Sequence, residues 1–105
     1  MAHNVEYQTA IEAEVIFTAT VTVLNDWGLH ARPAANLARI AQGFAADISL
    51  NAGEHNANAK SILDILTLAA TRHTTLTLTC LGAEAREAGE AILRFFAGKW
   101  HERKP

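Results

Sequence analysis

The sequence predicts an α+β domain, a two-layer open-faced β-sandwich in the order β-α-β-β-α-β-α. Two stretches, Glu14–Leu24 and Thr74–Cys80, alternate apolar residues with threonine, the period-two signature of strands buried on one face. Three other stretches carry apolar residues at helical spacing on one side only. One-sided helices over strands with a polar face imply helices covering one face of an antiparallel sheet and water on the other.

The elements follow in order. In the first strand Val15, Phe17, Ala19, Val21 and Val23 point one way, and Thr18, Thr20 and Thr22 the other. Asn25-Asp26-Trp27-Gly28 reads as a loop. The first helix carries Ala34, Leu37, Ala38 and Ala41 on its apolar side, with Pro33 expected at its first position and Gly43 at its end. Asp47–Asn51 is a second strand, turning through Ala52-Gly53-Glu54 into a weaker third over His55–Ala59. A second helix is expected from Ser61 to near Thr71, and a fourth strand buries Leu76, Leu78 and Cys80. A last helix over Ala83–Lys99 buries Ala85, Ala88, Ile92 and Phe95. Lys99, Arg103 and Lys104 lie at or beyond its C-terminal end, where positive charge is favourable.

A chain of 105 residues suits one compact domain, and no repeat or linker interrupts it. Half of the residues are hydrophobic and 19% are charged, as in a globular protein. The net charge of −2 gives no general attraction to nucleic acid or anionic membrane. The few aromatic residues are not interleaved with a basic patch, which argues against base stacking. His3, His55, His73 and His101 are scattered without metal-site spacing, so no metal or other cofactor is expected. The single cysteine, Cys80, excludes an intrachain disulfide and reads as a buried hydrophobe in a strand. With no membrane span and no signal-peptide pattern, the expected location is the cytoplasm.

Gly28-Leu29-His30-Ala31-Arg32-Pro33-Ala34-Ala35 carries the chemistry. A helix N-terminus leaves backbone N–H groups pointing outwards and is electropositive, so it welcomes anions. The guanidinium of Arg32 adds a planar, multi-donor grip for phosphoryl oxygens. An imidazole at such a place is kept neutral by the same field and is nucleophilic near pH 7. The pattern describes a histidine, His30, that accepts a phosphoryl group. The alternative is a solvated loop or capping histidine beside a surface arginine.

The second signal is Lys60-Ser61-Ile62-Leu63-Asp64-Ile65-Leu66, whose serine lies thirty-one residues after His30. Ser61 with Asp64 three residues on resembles a capping box with Asp in place of Glu or Gln. The other reading of Ser61 is a hydroxyl open to a kinase, where phosphate would gain from the helix dipole and be repelled by Asp64. Ile65, Leu68 and Ala69 share one flank of this helix, and Ile62, Leu63 and Leu66 the adjoining one. Such a wide apolar arc is either covered by a second element or left as a docking patch.

Together the two motifs, at this separation, resemble the HPr family, the phosphocarriers of the phosphoenolpyruvate-dependent phosphotransferase system. The likeness runs from about Val15 to Trp100. It implies a four-stranded sheet in the order 1-4-2-3 under three helices, with residues 1–14 an extension and 101–105 a tail. It implies phosphorylation of His30 at Nδ1, steadied by Arg32 and by the helix end, and places Ser61 where many members carry a regulatory phosphoserine. Ile62, Leu63 and Leu66 fall where the family docks its partners. Trp27 replaces a small polar residue or leucine, and an aromatic there lines the phosphoryl site, joins the docking surface or braces the loop. Asp64 replaces glycine and sets a negative charge beside Ser61.

The expected role is a carrier with a phosphohistidine intermediate rather than a stand-alone enzyme. It would be a monomer, charged by Enzyme I and discharged to Enzyme IIA domains in sugar uptake or regulation. HPr kinase/phosphorylase is a further expected partner. The alternative role is a regulatory module acting through Ser61 or its docking flank on a kinase, transcription factor or enzyme. A third reading, an unrelated domain whose His30 only caps a helix, would accept no phosphate.

Overall fold

A computed structural model describes residues 16–98. The expected extension and tail, and Lys99, Arg103 and Lys104, lie outside the described residues. The elements are β1 (Ile16–Thr22), α1 (Ala31–Gln42), β2 (Asp47–Ala52), β3 (His55–Asn58), α2 (Ile62–Thr67), β4 (Thr75–Leu81) and α3 (Ala85–Ala97). The four strands form one antiparallel sheet in the order β1-β4-β2-β3, as the motif resemblance implies.

Alternation becomes a two-faced sheet through the register. Ala19 lies opposite Leu78 and Val21 opposite Leu76 on the inner face. On the outer face Thr18, Thr20 and Thr22 stand opposite Thr79, Thr77 and Thr75, a ladder of threonine pairs. Such cross-strand pairs contribute roughly 0.2–1 kcal/mol each and keep a solvated face polar. The inner face meets the helices: Leu37, Leu50, Ile65, Leu76, Leu78, Cys80 and Ile92 are fully buried in one core.

Helix α1 buries Pro33, Ala34, Leu37, Ala38 and Ala41, a stripe of mostly small residues that lets it lie close to its neighbours. Pro33 is its third residue, not its first. Any of the first positions suits proline, because their N–H groups have no intrahelical acceptor. Gly43 ends the helix as expected, but with φ −79°, so the stop uses no left-handed residue.

Helix α2 departs furthest from expectation. It ends at Thr67 rather than near Thr71, and Ala69 adopts φ +51°. Ala69 is therefore exposed instead of sharing the buried flank with Ile65 and Leu68. At its start Ser61 Oγ accepts the Asp64 N–H at 3.1 Å, the first half of the capping box. The second half is missing. Asp64 Oδ2 accepts the Asn58 N–H at 3.1 Å, while the Ser61 N–H donates to the Asn58 carbonyl at 3.0 Å. The acidic side chain thus ties the helix to the end of β3.

In α3, Gly89 packs directly on β1: a Cβ there would run into the ring of Phe17. The end of α1 and the approach to α2 are clasped together. Lys60 Nζ donates to the Phe44 carbonyl at 2.8 Å, and Gln42 Nε2 to the Lys60 carbonyl at 2.9 Å.

Candidate functional site

His30 is the residue immediately before α1, in extended backbone (φ −84°, ψ −167°). Its carbonyl accepts the Ala34 N–H at 2.9 Å, the first bond of the helix. The N–H groups of Ala31 and Arg32 consequently have no intrahelical acceptor, and Pro33 has none to offer. The His30 side chain makes no capping hydrogen bond. The residue is half-buried, and its Nε2 is shielded from solvent. Arg32 is exposed on the first turn of α1.

The segment ahead of His30 is held by main-chain geometry. The Gly28 N–H donates to the Asn25 carbonyl at 3.1 Å, and the Leu29 N–H to the Ala70 carbonyl at 3.0 Å. Gly28 has φ +73°, and a Cβ there would collide with the Ala70 carbonyl oxygen. Only glycine fits both demands. Leu29 and Asn25 are buried, and Asp26 faces Arg72 at 3.6 Å across the surface. Two loops, one on each side of the site, are thereby tied together. The left-handed Ala69 directly precedes Ala70, so the early end of α2 aims that carbonyl at the segment ahead of His30.

Trp27 lies beside His30, the ring centroids 6.1 Å apart and the planes tilted by 50°. Trp27 is 68% exposed. On α2, Leu63 is 74% and Ile62 41% exposed, whereas Leu66 is half-buried and packs against the core. The open part of the expected docking flank is therefore Ile62 and Leu63. Ser61 is half-buried, with its hydroxyl engaged by the Asp64 N–H.

Sequence reasoning missed the roles of Asn25, Ala69 and Ala70. Asn25 in a turn-forming run was a legible signal for a loop, but not for burial. An alanine in left-handed backbone has no signal in the residues, since glycine or asparagine is the usual choice there. Cys80 is buried, and that burial raises its thiol pKa.

Residues 17–98 match the family model described as the PTS HPr component phosphorylation site. The chain belongs to the HPr family. It is 40% identical over 82 residues to the phosphocarrier protein NPr of Shewanella violacea, covering 78% of this chain and 90% of the relative. Against the phosphocarrier protein HPr of Cupriavidus necator the identity is 35% over 81 residues, or 77% of this chain and 91% of the relative. The crystal structure of HPr-C-His from Thermoanaerobacter tengcongensis superposes with a TM-score of 0.79 at 31% identity, covering 83% of this chain and 98% of that one. As an HPr-family member the chain is a phosphocarrier of the phosphotransferase system. Among the described residues no helix is long and apolar enough to cross a membrane.

Proposed function

We propose that the chain relays a phosphoryl group from phospho-Enzyme I, charged by phosphoenolpyruvate, through His30 to an Enzyme IIA domain. The observation that carries this reading is an imidazole set at the N-cap position of α1, beside the outward N–H groups of its first turn and the exposed Arg32. The family resemblance points to Nδ1 as the attacking atom, and the shielding of Nε2 agrees with that choice. In each transfer the Nδ1 lone pair forms a bond to phosphorus as the P–N bond to the donor imidazole breaks, and that bonding pair returns to the donor ring. The reverse sequence, with an Enzyme IIA acceptor, discharges the carrier.

The chain's contribution is position and charge, which dominate phosphoryl transfer. The outward N–H groups of Ala31 and Arg32 and the exposed Arg32 guanidinium are available to the transferring oxygens. No redistribution of the fold is needed, because the acceptor segment is already tied to Ala70 and Arg72. Ile62 and Leu63 supply a small apolar patch for transient docking.

The test is incubation with phosphoenolpyruvate and Enzyme I of the same organism, followed by mapping of the modified residue at alkaline pH. Acid-labile label on His30 is expected. Acid-stable label on Ser61 from ATP, with none on His30, would turn the reading to a regulatory module.

A further inference from the structure

Among the described residues Trp27 is the exposed aromatic hydrophobe, and its surroundings separate the fixed part of the loop from the free part. The backbone on both sides is pinned. Asn25 and Gly28 close a turn, Gly28 abuts Ala70, and Asp26 pairs with Arg72 across the loops. Trp27 itself is 68% exposed. A residue bracing the loop would hide its ring, as Leu29 does on the other side of Gly28. Here a held main chain presents an open ring.

The ring also stands in a particular place, 6.1 Å from the imidazole of His30. A protein that brings phosphorus to bonding distance of that imidazole lays its surface over the neighbouring few ångströms. An indole so close lies within that footprint. Tryptophan offers a large apolar area at little rotamer cost and is enriched where few residues carry most of the binding energy.

We infer that Trp27 is a specificity-determining residue of the phosphoryl-acceptor site, its indole contacting the donor protein beside that protein's phosphohistidine. This rests on the relay through His30 proposed above. The matching donor surface is an apolar recess next to the reactive ring. Because the indole supplies binding area rather than charge to the transferring group, it acts on the encounter and not on the chemical step.

Steady-state transfer from phosphoenolpyruvate by Enzyme I, with the full chain as substrate, tests this in wild type, Trp27→Ala and Trp27→Phe. Expected for Trp27→Ala is a KM raised about tenfold with kcat within about twofold, and recovery of most of that loss in Trp27→Phe. The thermal midpoint should stay at the wild-type value. An unchanged KM, a fall confined to kcat, or a drop in thermal midpoint that accompanies the loss would overturn the inference, the last by making Trp27 a brace.

A second readout uses the Trp100→Phe chain, in which Trp27 is the sole tryptophan. Its emission should shift to shorter wavelength on mixing with Enzyme I, and constant emission at saturating Enzyme I would sink the contact. If wild type takes no label at His30, the relay itself fails. If wild type is labelled and Trp27→Ala is transferred with unaltered KM, only the role of Trp27 falls.

Discussion

His30→Ala deletes the proposed nucleophile while leaving the helix start intact, because α1 begins from the His30 carbonyl, which alanine keeps. Phosphoenolpyruvate-dependent labelling should vanish, and unfolding in urea should shift by less than about 1 kcal/mol. Arg32 is exposed, so Arg32→Glu should also leave stability nearly unchanged while slowing transfer at least about tenfold. A cooperative loss of stability in that variant would show Arg32 to be structural instead. Gly28 behaves in the opposite way. Gly28→Ala meets both a left-handed backbone and the Ala70 carbonyl, and should cost about 1–3 kcal/mol, measured by chemical denaturation. At this scale the proposed chemistry is legible in the sequence, because His, Arg and Pro at fixed spacing would carry it in their side chains. The support for that chemistry was not: Leu29 and Ala70 meet through main-chain atoms that every residue possesses.

Among the elements, α2 shows how propensity and tertiary structure divide the work. Its six residues are too few to be stable as an isolated helix, so the cap and the core hold it. Ser61→Ala removes the acceptor of the Asp64 N–H and should destabilise the fold by about 1 kcal/mol, read from the denaturation midpoint. Apolar periodicity past Thr67 suggested another turn of helix, and Leu68 is indeed buried. The helix nevertheless stops, because Ala69 turns into left-handed backbone and the Ala70 carbonyl then accepts the Leu29 N–H. In α3 a different conflict arises. Gly89→Ala gains roughly 1 kcal/mol of helix propensity, yet the new methyl would overlap the Phe17 ring. Overpacking of this kind typically costs 1–3 kcal/mol, so the substitution should lower the thermal midpoint despite the better helix former.

For the whole molecule, layers and element order followed from alternation and one-sidedness, whereas strand order came from motif resemblance, because antiparallel alternation fits several pairings. Thr18, Thr20 and Thr22 announce a solvated face, but nothing in them says that they lie opposite the threonines of β4 rather than the serine and asparagine of β2. Cys80, buried near the end of the interior strand β4, reports on the integrity of the core. Its thiol is buried with a raised pKa, so a thiol reagent should leave the native protein unmodified and react only as fast as the domain opens. Because the folded state favours the neutral thiol, the same group predicts that folding stability falls as pH rises above the ordinary thiol range.

Strand β1 runs from Ile16 at one pole towards the loop that leads from Thr22 to His30 at the other. Its seven residues at about 3.3 Å each separate the two poles by roughly 20 Å. A carrier immobilised on a bead immediately before Ile16 would hold its reactive loop outward, so it should still be charged and discharged by partners in free solution.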